Sequence, residues 1–415
     1  MPAFRKRLLL GLSAFFFLTA SRGLPQEGGK IDLDKVDPSR LLLDKYSYMT
    51  QPHSFYYFHN MDKLGFQQDW VHKGGKTYEL KEPKGKFAAN YVFRGEQHSL
   101  DEYFGRNFVL GFLILRDDQI LLERYFHDAD ANSRFLSNSV AKSFLSVLIG
   151  VAIQEGKIKS VNDPVIQYLP DLSKSGFRDA TIKNLLQMSS GIQFNEDYLK
   201  PDADIHRYLA ALLRGEPSFE ELAASIQSRV KPGTVNEYQS INTQVLGAIL
   251  EKATGKPLNL YMQEKMWTKI GPQSDAFFYR SKKQKEICAA GCLNVTLRDY
   301  GRFGLMAMNG GTLNGNPVAP QAWMHDSATP DADFLMPKPK GPKDEENFGY
   351  GYQWWIPYGN DGVFMALGIY GQTIYVNPKR HVVIVQTSAW PEPDTDERWD
   401  ETVKVMDSIA QQIQP

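Results

Sequence analysis

The chain has 415 residues, long enough to bury a large core and to form more than one domain of ordinary size. Hydrophobic residues make up 42% and charged residues 23%, close to the globular average, which leaves disordered, low-complexity and membrane-embedded readings without support. The 47 basic residues nearly balance the 48 acidic ones, for a net charge of -1, so no nucleic acid or other polyanion is implied as a partner.

At the amino terminus Arg5, Lys6 and Arg7 precede an apolar run over residues 8–20, followed by Ser21, Arg22 and Gly23. This is the layout of a secretory signal peptide over residues 1–23, and the run is shorter than the ~20 residues that span a hydrocarbon core. The expectation is an exported protein, periplasmic or secreted, with no stable membrane insertion once the signal is cleaved. Residues 24–105 are rich in aromatics, Gly and Lys with weak periodicity, and read as an irregular extension packed on a core.

Next come two β-prone runs, 108–115 and 119–126, separated by Arg116-Asp117-Asp118, which predicts a hairpin. Over 139–155 the apolar residues Val140, Phe144, Val147, Leu148, Val151 and Ala152 recur at three- and four-residue steps. That spacing predicts an amphipathic, largely buried helix ended at Gly156. Helical patterns follow at 163–169, 181–187, 204–214, 242–254 and 296–309, with Ser190-Gly191, Lys231-Pro232-Gly233 and Gly310-Gly311 as punctuation. Residues 329–347 carry four prolines among charges and read as a long surface loop. Strand patterns return at 351–357, 363–368, 373–376 and 382–389, and a helix over 396–413 closes the chain. Strands at both ends with helices between predict an α/β (α+β) fold. Residues 106–160 and 311–415 build one mainly antiparallel sheet flanked by helices, and 161–310 form an inserted, mainly helical region.

Chemistry concentrates first at Ser139-Val140-Ala141-Lys142, an S-x-x-K pattern at the start of the buried helix. Residues three apart share a helix face, so hydroxyl and ammonium can meet, and the helix start favours an oxyanion beside the serine. The plain alternative is an N-cap serine and a solvated lysine. About a hundred residues later Asn236-Glu237-Tyr238-Gln239-Ser240 precedes the helix that contains Leu246-Gly247. Here the sequence resembles the serine beta-lactamase and penicillin-binding-protein superfamily. The resemblance implies that Ser139 is the nucleophile, that Lys142 activates it and that Tyr238 shares the proton. Ser240 stands where that superfamily usually has Asn.

A third segment, Gly368-Ile369-Tyr370-Gly371-Gln372, stands where beta-lactamases carry Lys-Thr-Gly on an edge strand. The Lys and Thr that clamp a substrate carboxylate are missing, while the Ile369 amide can still complete an oxyanion hole with the Ser139 amide. The Tyr-x-Ser triplet and this strand resemble most the branch that holds 6-aminohexanoate-dimer hydrolases and related esterases, over roughly residues 105–410. In that branch a tyrosine after the Ser-Gly turn contributes to amide hydrolysis, and Tyr198 is the matching residue. The implied substrate-binding and oxyanion set is therefore Gly368, Ile369, Tyr370, Tyr198 and Ser240. The implied partner is a small-molecule amide or ester, cleaved through an acyl-enzyme without a cofactor. The rivals are a beta-lactamase or D,D-peptidase-like cell-wall enzyme, and a catalytically silent cell-envelope binding protein.

None of the eight histidines sits in a metal-ligand pattern, and neither a G-x-S-x-G elbow nor a phosphate-binding glycine loop is present. Cys288 and Cys292 allow two readings, a bridge on a tightly turned backbone or two small buried residues. Nothing in the sequence indicates an oligomeric state.

Overall fold

Residues 49–83, 85–339, 348–359 and 362–413 are described in a computed structural model. The expected signal segment, 1–23, lies outside them. The hairpin forms as its pattern predicts: strand Val109–Arg116 turns back into Gln119–Tyr125 through Asp117, which adopts a positive φ of 49°. Strand Val382–Ser388 pairs antiparallel with Val109–Arg116, setting Val383 opposite Leu115. The two ends of the chain therefore meet in one sheet. Its seven strands run in the order Gly349–Tyr350, Trp355–Ile356, Phe364–Gly368, Gln372–Asn377, Val382–Ser388, Val109–Arg116 and Gln119–Tyr125, each pair antiparallel.

Alternation along these strands feeds two cores. Phe112, Ile114, Val382 and Ile384 pack with Val405, Met406 and Ile409 of the closing helix Asp396–Gln412. Leu113, Leu115, Val383 and Val385 face the larger core, against helix Leu297–Met308. This helix sits tight on the sheet because Gly301 and Gly304, on one face, leave no room for side chains. A Cβ on Gly301 would lie 2.8 Å from Leu113 and Leu115, and one on Gly304 2.5 Å from Val383.

The helix expected over 139–155 is Ala141–Gln154, led in by a 3-10 turn over Asn138–Val140, and Gly156 ends it with a φ of 69°. Every residue from Ala141 to Ala152 is buried, so it is a central helix enclosed on all sides rather than an amphipathic one. Trp323 crosses it so closely that a Cβ on Gly150 would lie 2.4 Å from the indole. Helix Ser240–Thr254 packs alongside and carries the second motif at its start.

Three expectations are corrected. The strand expected over 351–357 breaks into Gly349–Tyr350 and Trp355–Ile356, because Gln353 turns inward with a φ of 64°. Its side-chain amide donates to the Leu185 and Leu186 carbonyls and accepts from Thr243 Oγ1, while its own carbonyl accepts from Ser143 Oγ at 2.7 Å. These bonds to three helices replace a strand ladder. The segment after residue 329 is not wholly a surface loop, since Leu335 is buried with Met188 and Tyr350. A second antiparallel sheet, ordered Gln67–Val71, Ala276–Arg280, Leu293–Thr296 and Arg134–Leu136, was not expected. It draws one strand from the amino-terminal extension and two from the stretch read as mainly helical.

Candidate active site

Ser139 lies on the 3-10 turn where the two sheets meet the central helix. Asn138 before it holds a φ of 41°, a conformation that aims the following residue sharply. The Ser137 amide is fixed by the Leu293 carbonyl at 2.8 Å. Lys142, one turn on, is only 2% exposed, which rules out the solvated alternative. Its Nζ donates to Ser139 Oγ at 2.7 Å and to the Ala290 carbonyl at 2.8 Å. Burial lowers the lysine pKa to about 8, against the opposing pull of Glu196.

The Ala290 carbonyl belongs to a short ring closed by a disulfide between Cys288 and Cys292, whose Cα atoms are 5.6 Å apart. Of the two readings for these cysteines, the bridge is the one found. Gln244 pins the same loop to helix Ser240–Thr254, accepting from the Ala289 amide at 2.9 Å and donating to the Ile287 carbonyl at 2.8 Å.

Tyr238 completes the group around Ser139. Its ring centre lies 5.0 Å from Lys142 Nζ, which places its hydroxyl within the electrostatic reach of the serine side chain. Trp355 stacks on that ring at 5.2 Å and Tyr350 meets it edge-on at 6.2 Å, so the hydroxyl is held in place. Burial pushes its pKa well above the ordinary tyrosine value, which keeps it a neutral proton carrier.

Gly368 ends its strand directly against the nucleophile turn. A Cβ there would lie 2.8 Å from the Ser137 carbonyl and 2.9 Å from the Ser139 amide. Ile369 begins the tight turn into Gln372–Asn377, so the segment read as edge strand is largely a hairpin turn. Asn138 Nδ2 holds the Ile369 carbonyl at 2.9 Å. Among the described residues the Ile369 amide donates to no backbone acceptor, and Ile369 lines the same pocket as Ser139. The arrangement can present two main-chain donors to one oxyanion.

Tyr198 and Ser240 also line this pocket. Tyr370 does not: it takes a φ of 63°, its amide donates to the Pro393 carbonyl, and its buried ring packs on Phe58 at 5.4 Å. Met49, Tyr208, Leu209, Leu212, Tyr279 and the disulfide finish the wall, with no Lys, Arg or His among the described lining residues. Met49 brings the extension into the site, which its sequence did not suggest. Arg298 and Asp299 serve structure, Arg298 pairing with Glu82 and Glu123, and Asp299 accepting from the Gln273 and Ser274 amides.

One residue was missed. Glu196, two positions before Tyr198, accepts from the Ser240 amide and from Ser240 Oγ at 2.5 Å, with the Tyr198 hydroxyl 3.5 Å away. Nothing in its sequence context marks it, since an acidic residue in Asn195-Glu196-Asp197 reads as a solvated loop.

The Beta-lactamase family model matches residues 108–405 of the chain. A 6-aminohexanoate-dimer hydrolase from Paenarthrobacter ureafaciens is 30% identical over 296 residues, 68% of this chain and 73% of the relative. Among solved structures, a candidate 6-aminohexanoate-dimer hydrolase from Bacillus anthracis superposes with a TM-score of 0.77 at 25% identity, covering 90% of this chain and 98% of that one. A family VIII carboxylesterase shares the fold with a TM-score of 0.59 at 16% identity, over 75% of this chain and 94% of its own.

Proposed function

The chain belongs to the beta-lactamase family, and from that premise we propose that it is a serine hydrolase of small amide or ester substrates, acylated at Ser139. The observation that carries this reading is the buried Lys142 amine, 2.7 Å from Ser139 Oγ and with its pKa lowered to about 8. A neutral amine at that distance can take the serine proton as Oγ attacks the substrate carbonyl. The Ser139 and Ile369 amides receive the oxyanion. Tyr238, whose ring lies 5.0 Å from Lys142 Nζ, relays the proton to the leaving group. Water then releases the acyl group and restores Ser139.

The pocket wall supports an uncharged acyl group, because no cationic side chain among the described residues lines it to clamp a carboxylate. This favours linear amides or esters over beta-lactams and cell-wall peptides. The relatives named 6-aminohexanoate-dimer hydrolase support an amide of that size. Export is part of the proposal, supported by the basic and apolar residues over 1–23 and by a disulfide, which persists in oxidising compartments. Sequencing the amino terminus of the mature protein tests that part.

The test of the activity is a screen of short acyl esters, linear amides and beta-lactams with the mature protein and with Ser139→Ala. Ester or amide turnover lost in the variant is the expected result. Turnover confined to a penicillin or cephalosporin, lost in the variant, would favour the cell-wall reading. No turnover of any class would favour the silent binding protein.

A further inference from the structure

Glu196 is a half-buried carboxylate bonded to Ser240 at the pocket wall, and the mechanism above does not use it. It sits on the loop between Ile192 and helix Ile205–Arg214, which is tied down by the Asn195 amide on Asp204 Oδ2 and the Ile205 amide on the Asn195 carbonyl. Its two oxygens collect the Ser240 amide, the Ser240 hydroxyl and the Tyr198 hydroxyl. Lys142 donates to Ser139 and Ala290, and Glu196 acts on it through space rather than by a direct bond, with Ser240, which Glu196 holds, at the wall of the Ser139 pocket.

The groups facing Glu196 come from several elements: Lys142 on the central helix, Tyr198 on its own loop, Tyr208 on helix Ile205–Arg214, Tyr238 before helix Ser240–Thr254, and Tyr350 on the sheet. Burial pushes the pKa of each of these tyrosines up, so they stay neutral. Burial pushes Glu196 up as well, while Lys142 and the Ser240 bonds favour its ionised form. Lys142 and Glu196 are thus the charges this enclosed group can hold, and an ammonium formed there without a counter-charge would be costly.

We propose that Glu196 is a positioning residue for Lys142: its carboxylate is the counter-charge for the ammonium that forms when Ser139 gives up its proton, and it anchors Ser240 and Tyr198 at the pocket wall. This rests on Ser139 being the nucleophile. The bland role for Glu196 is that of a helix cap, since Gln239 makes no side-chain cap and Ser240 opens the helix. A cap would affect stability without touching the protonation of Lys142.

The experiment follows the rate of Ser139 modification by a fluorophosphonate against pH, for the full chain and for Glu196→Gln, with thermal melts to confirm folding. Removing the charge withdraws support from the lysine ammonium, so the rise in rate shifts to lower pH by roughly one unit, and the high-pH plateau falls about tenfold as the base weakens. Glu196→Asp, which keeps the charge but draws it back, shifts the rise in the same direction by less, and it supplies the test if the amide variant does not fold. A folded variant whose rise coincides with that of the unaltered protein overturns the proposal. If the unaltered protein is not modified at Ser139, the hydrolase reading fails first and the role of Glu196 falls with it.

Discussion

Gly368→Ala perturbs the oxyanion site without touching any reacting side chain. The added Cβ would stand 2.8 Å from the Ser137 carbonyl and 2.9 Å from the Ser139 amide, both rigid backbone atoms. Ordinary contact is about 3.4 Å or more, so the strand end must retreat from the nucleophile turn by roughly half an ångström. The strand cannot swing freely, because Asn138 Nδ2 holds the Ile369 carbonyl and Met365 is paired with Trp355 and Tyr375. The retreat therefore opens the gap between the Ser139 and Ile369 amides. Losing one oxyanion donor outright costs about 10²–10³ in kcat, or about 2.7–4 kcal/mol, so a partial displacement should lower kcat by about 10–100-fold. Overpacking of this kind costs about 1–3 kcal/mol of stability, which a protein of this size can absorb. Steady-state kinetics on the best ester, beside a thermal melt, makes the check. A folded variant with kcat within twofold of the unaltered protein would refute the placement of the oxyanion hole.

Tyr238→Phe should lose more activity on an amide than on the matched ester, because an amine leaving group needs the relayed proton more than an alkoxide does; equal losses would remove Tyr238 from proton transfer. The kcat/KM should rise with pH and level off above about 8, since Lys142 must be neutral to accept the serine proton and burial brings its pKa down to that value from 10.5. A profile flat from about pH 6 to 9 would contradict a lysine base. Reducing the Cys288–Cys292 bridge with a dithiol should lower kcat by about 2–10-fold, the worth of one weakened hydrogen bond from Lys142 to Ala290, while Gln244 keeps the loop attached. Unchanged kcat after complete reduction, followed by mass, would leave the bridge without a part in holding the lysine.

Part of this site was legible from short-range spacing and part from the family resemblance. The three-residue step from Ser139 to Lys142 survives folding as a hydrogen bond, and Tyr238, which the resemblance implied, lies with its ring 5.0 Å from Lys142 Nζ. The hairpin over Val109–Tyr125 and the strand Val382–Ser388 were readable as β-prone apolar runs between turn signals. The second sheet was not: Ala276–Phe278 is an apolar run without alternation, and Leu293–Thr296, though it alternates, is only four residues long, too short to stand out in a helical stretch. The strand expected over 351–357 failed for a different reason, since the inward bonds of Gln353 depend on helices far away in sequence. Glu196 and the Ala290 carbonyl were invisible for that reason too. Each matters only through a partner about fifty to one hundred and fifty residues distant.

The central claim is a covalent acyl group on Ser139. Rapid quenching of the protein with its best ester, followed by mass spectrometry of the digested chain, tests it most directly. The account predicts the acyl mass on the peptide containing Ser139 and its absence, together with loss of turnover, in Ser139→Ala. An adduct on another residue, or undiminished hydrolysis by Ser139→Ala, would contradict it.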